Sequence, residues 1–394
     1  MIPVIRPVLG DEEARAAAAA VASGWIAQGP RVAEFEAAFA NAIGTGDAVA
    51  VSSCTTALHL AMIAVGVRPG DEVIVPSMSF IATANAARYV GAQVVFADVD
   101  AQTLNITPAT VEPLLTDRTR AVILVDQGGV PADLDAMREL CDRRGVTVVE
   151  DAACAAGSTY RGRPAGAGAA LATFSFHPRK LLTTGEGGMV TTPDPAVAAR
   201  LRRLREHGMD ISAAARHADR RVLIEHYAEL GYNYRMTDIQ AAIGLVQLRR
   251  LPEIVRRRRQ LAERYQRLLG RIPGLQMITD PWYGSTNFQS FWVALPDDFP
   301  VPRNGLLQLL ADAGISARRG IMAAHLEPAY AGYGDGAQLA VTERLSSSSL
   351  ILPLFHELTE DDQDRVVAVI ADAAGSTTRD GAAVRGVGRE GGPG

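Results

Sequence analysis

The chain has 394 residues, which is long enough for a sizeable core and for more than one domain. Its 39 Lys and Arg residues against 44 Asp and Glu give a formal charge of −5, which offers no electrostatic reason for nucleic-acid binding. No uninterrupted apolar run is long enough to span a bilayer. We therefore expect a globular protein without a nucleic-acid or membrane partner.

The three cysteines, Cys54, Cys141 and Cys154, are odd in number and lack the spacing of zinc ligands or of a CxxC pair. A disulfide framework and a metal site are therefore not expected, and a reducing cytoplasm is the predicted location. The first residues, MIPVIRPVLGDEEAR, show no basic region followed by an apolar stretch, so no signal peptide is expected.

The predicted elements begin with an Ala-rich helix over residues 11–24. Short Val- and Ile-rich strands then alternate with helices over 55–66, 80–90 and 132–144. The predicted strands are 48–52, 72–76, 93–98, 121–126, 147–151, 171–176 and 189–192. This alternation predicts an α/β fold with a mostly parallel central sheet, covered by helices on both faces.

A capping-box pattern at Thr237 and Gln240 predicts the start of a helix that runs through Leu251. Pro252 is expected to end this helix, and an Arg-rich helix follows to about Leu269.

The texture of the sequence changes after this region. Strand-like pieces such as FQSFWVALP indicate a smaller C-terminal α+β domain. We predict a large domain over residues 1–250 that includes the N-terminal segment, a small domain over 251–376, and a disordered Gly-rich tail over 377–394.

Asp151 lies at the end of one predicted strand, and Lys180 follows another. Both are expected at the sheet edge where α/β proteins bind ligands. Taken alone, Asp151 could simply cap the next segment, and Lys180 could be a solvated surface charge. Together they provide what pyridoxal phosphate (PLP) chemistry needs. A lysine amine forms a Schiff base and moves protons, and a carboxylate keeps the pyridine nitrogen protonated.

The PLP phosphate needs an anion site, and the segment SSCTT (52–56) opens a predicted helix directly after a strand. Backbone N–H groups at a helix N-terminus, with nearby hydroxyls, bind phosphate. Simple capping explains one of these hydroxyls. Ser175 is a further candidate, with a half-buried strand serine as an equal alternative.

Taken together, these segments resemble the DegT/StrS family of PLP-dependent aminotransferases over roughly residues 1–370. The matching stretches are SSCTTALHLAM (52–62), PGDEVIVPSMSFIATANAARYVGAQVVFADVD (69–100), VVEDAACAAGSTYRGRPAG (148–166), FSFHPRKLLTTGEGGMVTT (174–192) and LGYNYRMTDIQAAIGLVQL (230–248). The resemblance implies the fold-type-I architecture, with Lys180 as the Schiff-base lysine and Asp151 paired with the pyridine nitrogen.

The resemblance also implies how the rest of the cofactor is held. Thr55, Thr56 and Ser175 would hold the phosphate, and Phe80 would stack on the ring. Asn233 would reach the phosphate from the other subunit, which implies a homodimer with active sites at its interface.

Four positions carry open alternatives. Cys154 stands near the ring oxygen, where many members have Gln or His, and a small buried thiol is an equal interpretation. Asp126 stands where many members have His, and its role is left open. Arg319 and His325 are substrate-site candidates by resemblance, with ordinary loop residues as the alternative.

The implied activity is transfer of an amino group from an amino acid, with L-glutamate as the expected donor, to a keto group of a nucleotide-linked sugar. An aminotransferase for a cyclitol ketone or another small carbonyl compound is one alternative. A regulatory protein that binds PLP without turnover is another.

Overall fold

The computed structural model describes residues 1–211, 224–333 and 338–375. The predicted tail over 377–394 lies outside these ranges. In the described part, a seven-stranded sheet has the spatial order β1-β7-β6-β5-β4-β2-β3. Its strands are β1 (Asp47–Val51), β2 (Glu72–Pro76), β3 (Gln93–Ala97), β4 (Thr119–Val125), β5 (Thr147–Asp151), β6 (Leu171–Ser175) and β7 (Gly188–Thr192).

Strand β7 runs antiparallel to β1 and β6, whereas β2, β3, β4, β5 and β6 pair in parallel. The strands read as nearly continuous apolar runs because both faces of the sheet are covered and buried. The helices of this part are Asp11–Ala22, Pro30–Ile43, Cys54–Ala64, Ile81–Tyr89, Pro108–Val111, Leu134–Asp142 and Pro195–Leu204. The predicted mostly parallel α/β sheet is confirmed.

A single 32-residue helix, Asp238–Leu269, begins at the predicted capping box and continues through Pro252. The expectation that Pro252 ends the helix was therefore wrong. Proline removes one backbone donor and crowds the preceding turn. Here the helix packs on both sides of that point, against Asp11–Ala22 and Pro30–Ile43 and against Glu360–Ala373. This packing stabilises the helix across the proline.

The C-terminal part contains a four-stranded antiparallel sheet and helices, which confirms the predicted smaller α+β unit. Its strands are Gln276–Met277, Phe291–Ala294, Arg318–Arg319 and Ser349–Leu352. Its helices are Arg303–Asp312, Ala340–Ser348 and Glu360–Ala373. A small third sheet joins Gly284–Ser285 to the hairpin Thr159–Tyr160 and Arg163–Pro164, which connects the two parts.

The N-terminal residues lie against the C-terminal part of the chain. The Ile2 N–H donates to the Gly314 carbonyl at 2.8 Å, and the Leu354 N–H donates to the Val4 carbonyl at 3.1 Å. The predicted boundary at residues 250 and 251 falls inside the long helix. The division into two domains stays a prediction.

None of the helices within the described ranges combines the length and the apolar character needed to cross a bilayer. The same ranges contain no group of three or more His, Cys, Asp or Glu side chains arranged to hold a metal ion.

Candidate active site

The strand ends bring the predicted site residues to one edge of the sheet. Asp151, the last residue of β5, lies beside Val125 of β4 and Thr173 of β6. Ser175 ends β6 opposite Gly188, and Gly188 lies opposite Val51 on the other side. Parallel strands that end together leave their next residues on a common edge, so the sequence after each strand lines one site.

Lys180 lies in the loop that leaves β6, and its amine faces the site. Its Nζ donates to the Cys154 Sγ at 3.0 Å, and the side chain is half-buried. Lys180 is also the only lysine in the whole sequence. The primary ε-amine that an aldehyde cofactor requires is therefore available at one position.

The loop on both sides of Lys180 is held by one buried side chain, Gln289. The Gln289 Oε1 accepts the Leu181 N–H at 3.1 Å, and its Nε2 donates to the Arg179 carbonyl at 2.6 Å. The sequence interpretation missed Gln289 because the two contacts join residues 108 and 110 positions apart. Only the folded chain reveals that this glutamine fixes the lysine backbone.

Asp151 is buried, and each of its oxygens accepts a hydrogen bond. Oδ2 accepts from the Thr83 hydroxyl at 3.0 Å, and Oδ1 accepts from the Ala153 N–H at 3.2 Å. Burial raises the pKa of Asp151, and these two bonds and the positive charge of Lys180 offset part of that rise.

Burial acts on the pKa of the Lys180 amine in the opposite direction, because the charged form of an amine is its protonated form. Burial lowers the pKa of Lys180, but the side chains of Cys154, Cys54 and Asp151 raise it by more, so its pKa lies above the ordinary value. The amine and the acid act on each other within one buried site.

The helix Cys54–Ala64 presents its N-terminus to this edge. Its cap is satisfied locally, because the Ser53 Oγ accepts the Thr56 N–H at 3.2 Å and the Thr56 hydroxyl donates to the Ser53 carbonyl at 2.8 Å. No described residue accepts a hydrogen bond from the N–H groups of Cys54 and Thr55. Two free donors at a helix N-terminus form an anion site.

Gly188 allows β7 to lie directly against this helix N-terminus. A Cβ on Gly188 would fall 2.5 Å from the carbonyl carbon of Ser53 and 2.6 Å from the nitrogen of Cys54. Any larger residue would displace the turn. The residues present thus fit PLP, with an amine, an acid and an anion site at the same edge.

Phe80 caps the helix Ile81–Tyr89 and exposes 63% of its surface, although it is a large aromatic residue. Asn233 is also exposed, and its side chain makes no hydrogen bond with any residue of the described ranges. Its neighbours are anchored, since the N–H groups of Tyr232 and Tyr234 donate to the Leu204 and Arg205 carbonyls at 2.7 and 2.9 Å.

The two predicted substrate candidates are occupied by other contacts. His325 is half-buried, with its Nδ1 2.5 Å from the Ser77 Oγ and its Nε2 3.4 Å from the Glu343 Oε1. Arg319 forms a 3.4 Å ion pair with Glu327. The structure therefore does not bring either side chain to the Lys180 amine as a free group.

The preceding residue, Arg318, is closer to the site and was missed by the sequence interpretation. Partial burial and the positive charge of Arg179 lower the pKa of Arg318, while Cys154 raises it. No carboxylate among the described residues lies within ion-pair distance of Arg179 or Arg318. Strand alternation places Arg318 and Arg319 on opposite faces, which sequence alone cannot assign.

Asp126, whose role the sequence left open, lies close enough to Glu150 for the two carboxyls to affect each other's pKa. Both are buried, and the Asp126 Oδ1 and the Glu150 Oε1 accept the Ala132 and Gly166 N–H groups at 2.8 and 3.0 Å. The Asp126 Oδ2 and the Glu150 Oε2 have no hydrogen-bond partner within the described residues. Burial, and then the neighbouring Glu150 carboxyl, raises the pKa of Asp126 well above its ordinary value. Because strand neighbours alternate between faces, Glu150 faces away from Asp151, and Asp126 belongs to this second acidic pair.

A mostly parallel α/β sheet with an amine, an acid and an anion site at one edge fits a fold-type-I PLP-dependent enzyme. Residues 7–371 match the model of the DegT/DnrJ/EryC1/StrS aminotransferase family. The chain belongs to this family, and it is a PLP-dependent enzyme.

Solved structures of similar proteins cover nearly the whole chain. The aminotransferase TlmJ from Streptoalloteichus hindustanus is 39% identical, with a TM-score of 0.87 over 96% of this chain and 100% of that chain. The sugar aminotransferase CalS13 from Micromonospora echinospora is 31% identical, with a TM-score of 0.85 over 94% and 100%. Spr1654 from Streptococcus pneumoniae in its PLP form is 27% identical, with a TM-score of 0.86 over 95% and 98%.

Proposed function

We propose that this enzyme moves an amino group from L-glutamate to a keto group of a nucleotide-linked sugar, as an aminotransferase of aminosugar biosynthesis. The observation that carries the proposal is the sole lysine of the chain, held at the sheet edge with Asp151. Similarity to CalS13, a sugar aminotransferase, supports a sugar as the acceptor.

Lys180 and Asp151 are the catalytic residues in this proposal. PLP supplies an electron-withdrawing ring that makes loss of the substrate α-proton feasible. Lys180 would hold the cofactor through its amine, and the free amine would move that proton as general acid and base. Asp151 would pair with the pyridine nitrogen, and the donors on both of its oxygens favour its charged form.

The phosphate is held by Thr55, Thr56 and Ser175, together with the free N–H groups of Cys54 and Thr55. Thr55 and Ser175 have hydroxyl hydrogens available for this task. The Thr56 hydroxyl already donates to its own turn, so its main contribution is to order the helix N-terminus. Phe80 would stack on the ring, and Cys154, which lies 3.0 Å from the lysine amine, would lie near the ring oxygen.

The amino donor is anionic, and two cations near the lysine suit it. Arg179 precedes Lys180 in the sequence. Arg318 lies close enough to Arg179 and Cys154 for both to affect its pKa. Neither has an ion-pair partner within the described residues, so each is available to a substrate carboxylate or phosphate. We propose these two arginines as substrate-binding residues, in preference to Arg319 and His325.

Asn233 serves the cofactor of a second subunit in this proposal, within a homodimer that has active sites at its interface. Its side chain is exposed on an anchored backbone, and large exposed apolar residues precede it, namely Ile224, Tyr227 and Leu230. Exposed apolar clusters mark contact surfaces. We also propose the two-domain division near residue 250, and a cytoplasmic location that suits three free cysteines.

For Asn233→Ala we expect PLP affinity to fall roughly 10- to 100-fold, the effect of losing one hydrogen bond to a charged group. Asn41→Ala, an exposed asparagine on the helix Pro30–Ile43, is the matched control and should bind normally. Spectroscopic PLP titration measures the affinity, and light scattering measures the dimer. A monomer that binds PLP normally would refute the cross-subunit role.

The proposed activity is tested in two half-reactions. Excess L-glutamate is expected to convert the yellow holoenzyme to the amine form of the cofactor, and a nucleotide-linked ketosugar should restore the yellow form. Restoration by a cyclitol ketone but by no ketosugar would assign the alternative acceptor. A spectrum that does not change with any amino acid would instead support a regulatory protein without turnover.

A further inference from the structure

A chain of three buried side chains ends on the Asp151 carboxylate. The Thr83 hydroxyl donates its hydrogen to the Asp151 Oδ2 at 3.0 Å. Thr83 has only one hydroxyl hydrogen, so at its other contact, with the Ser79 Oγ at 2.9 Å, it accepts. The direction is therefore from Ser79 to Thr83 to Asp151, and each bond polarises the next.

The same segment carries the exposed ring of Phe80. The Thr83 N–H donates to the Phe80 carbonyl at 3.1 Å, and the Ser79 N–H donates to the Ser77 carbonyl at 3.1 Å. Phe80 lies between the two hydroxyl residues, with its ring on the exposed side and theirs on the buried side. The segment from Ser77 to Thr83 thus carries both the exposed Phe80 ring and the hydroxyls that lead to the Asp151 carboxylate.

The segment from Ser77 to Thr83 also contacts the C-terminal part of the chain. The Ser77 Oγ lies 2.5 Å from the His325 Nδ1, and the Ala324 N–H donates to the Ser77 carbonyl at 2.7 Å. His325, which the sequence suggested for the substrate, thus supports the segment from Ser77 to Phe80.

We infer that Thr83 is a positioning residue of the active site, which fixes the Asp151 carboxylate through its hydroxyl, with Ser79 as its support. The inference rests on the proposed function, because it requires Asp151 to pair with the pyridine nitrogen. Without the Thr83 hydroxyl, the Asp151 Oδ2 loses its only protein donor among the described residues. The carboxylate is then held only by the hydrogen bond from the Ala153 N–H to Oδ1, and it can rotate.

Loss of the Thr83 bond has a predictable pH signature. Burial already raises the pKa of Asp151, and the Thr83 bond lowers it. Removing the bond moves the pKa further up, so the acid needs a higher pH to carry its charge. The acid limb of the activity profile should therefore move to higher pH, and activity should recover as the pH rises.

The test compares Thr83→Val, which keeps the shape, with Thr83→Ser, which keeps the hydroxyl. In the PLP-loaded enzyme with L-glutamate, we expect kcat to fall roughly 10- to 100-fold in T83V, the effect of one lost bond to a charged group, with KM little changed. T83S should stay near wild type. Thr191→Val is the control, because the buried Thr191 hydroxyl has no partner in the described residues.

Wild-type kcat and pH profile in T83V would overturn the inference, as would equal losses in T83V and T83S. If T83V does not accumulate as folded protein, Ser79→Ala should show the same pH shift in smaller size, and an unchanged profile there would overturn the inference. Asp151→Asn distinguishes a failure of the proposed function from a failure of the role assigned to Thr83. Full activity in D151N would refute the proposed function itself, whereas an inactive D151N beside a normal T83V refutes only the role of Thr83.

Discussion

Replacement of Lys180 by alanine is expected to give a folded protein that lacks the yellow absorbance of lysine-bound PLP. Transamination should fall at least roughly 10²- to 10⁴-fold, the contribution of a positioned acid–base group alone. The loss should be complete in practice because no other lysine exists in the chain to replace it. Absorbance of the purified protein and turnover with L-glutamate measure the two effects.

Lys180→Arg is the matched variant, since it keeps a cation of similar length but cannot form a Schiff base. We expect it to be as inactive as K180A, while both variants unfold at the same denaturant concentration as the apo wild type. Full activity in either variant would refute the assignment of Lys180.

The second large effect is expected at Arg258, which is buried without a carboxylate partner in the described part of the chain. It donates to the carbonyls of Phe288, Leu354 and Gln289 at 2.8, 2.8 and 2.9 Å. Burial lowers the pKa of Arg258 to about 9, so it stays charged at neutral pH. Arg258→Met should lower the free energy of unfolding by about 3–5 kcal/mol, because three buried carbonyls lose a charged donor.

Arg256→Met is the control, because Arg256 is exposed on the same helix and should change stability by less than about 0.5 kcal/mol. Denaturant titration of both holoenzymes measures the difference. Gln289 holds the backbone around Lys180, so R258M should also release PLP faster than wild type. Equal stability of R258M and R256M would contradict the account of this buried cation.

The sequence predicts the sheet well because the strands are short and apolar, and most of the first ones are separated by helices of clear periodicity. Segments such as Glu72–Pro76 and Thr147–Asp151 match the structure to the residue. The direction of a strand is harder to predict than its position, because an apolar run looks alike in either orientation. The antiparallel course of β7 follows from the loop over residues 176–187, which contains Lys180 and returns the chain beside β6.

Pro252 shows a second limit. A local rule predicted a helix end there, but packing on both halves of Asp238–Leu269 outweighs the cost of one proline. Tertiary contacts of this kind are absent from any local window of sequence.

The site divides in the same way. Lys180, Asp151 and the SSCTT turn could be predicted because each lies at or shortly after the end of a strand, and strand ends share an edge. Thr83 and Gln289 could not be predicted, since each acts on a residue far away in sequence. A signal was present for Lys180 beyond its motif, since it is the only lysine in the chain.

The central claim, that PLP is bound covalently at Lys180, is tested most directly by borohydride reduction of the holoenzyme, followed by proteolysis and mass spectrometry. With a single lysine, the only other primary amine of the polypeptide is its N-terminus. We predict one pyridoxyl group per chain on the peptide that contains Lys180. PLP retained by the protein with that peptide unmodified, or a pyridoxyl group on the N-terminal amine, would contradict the account.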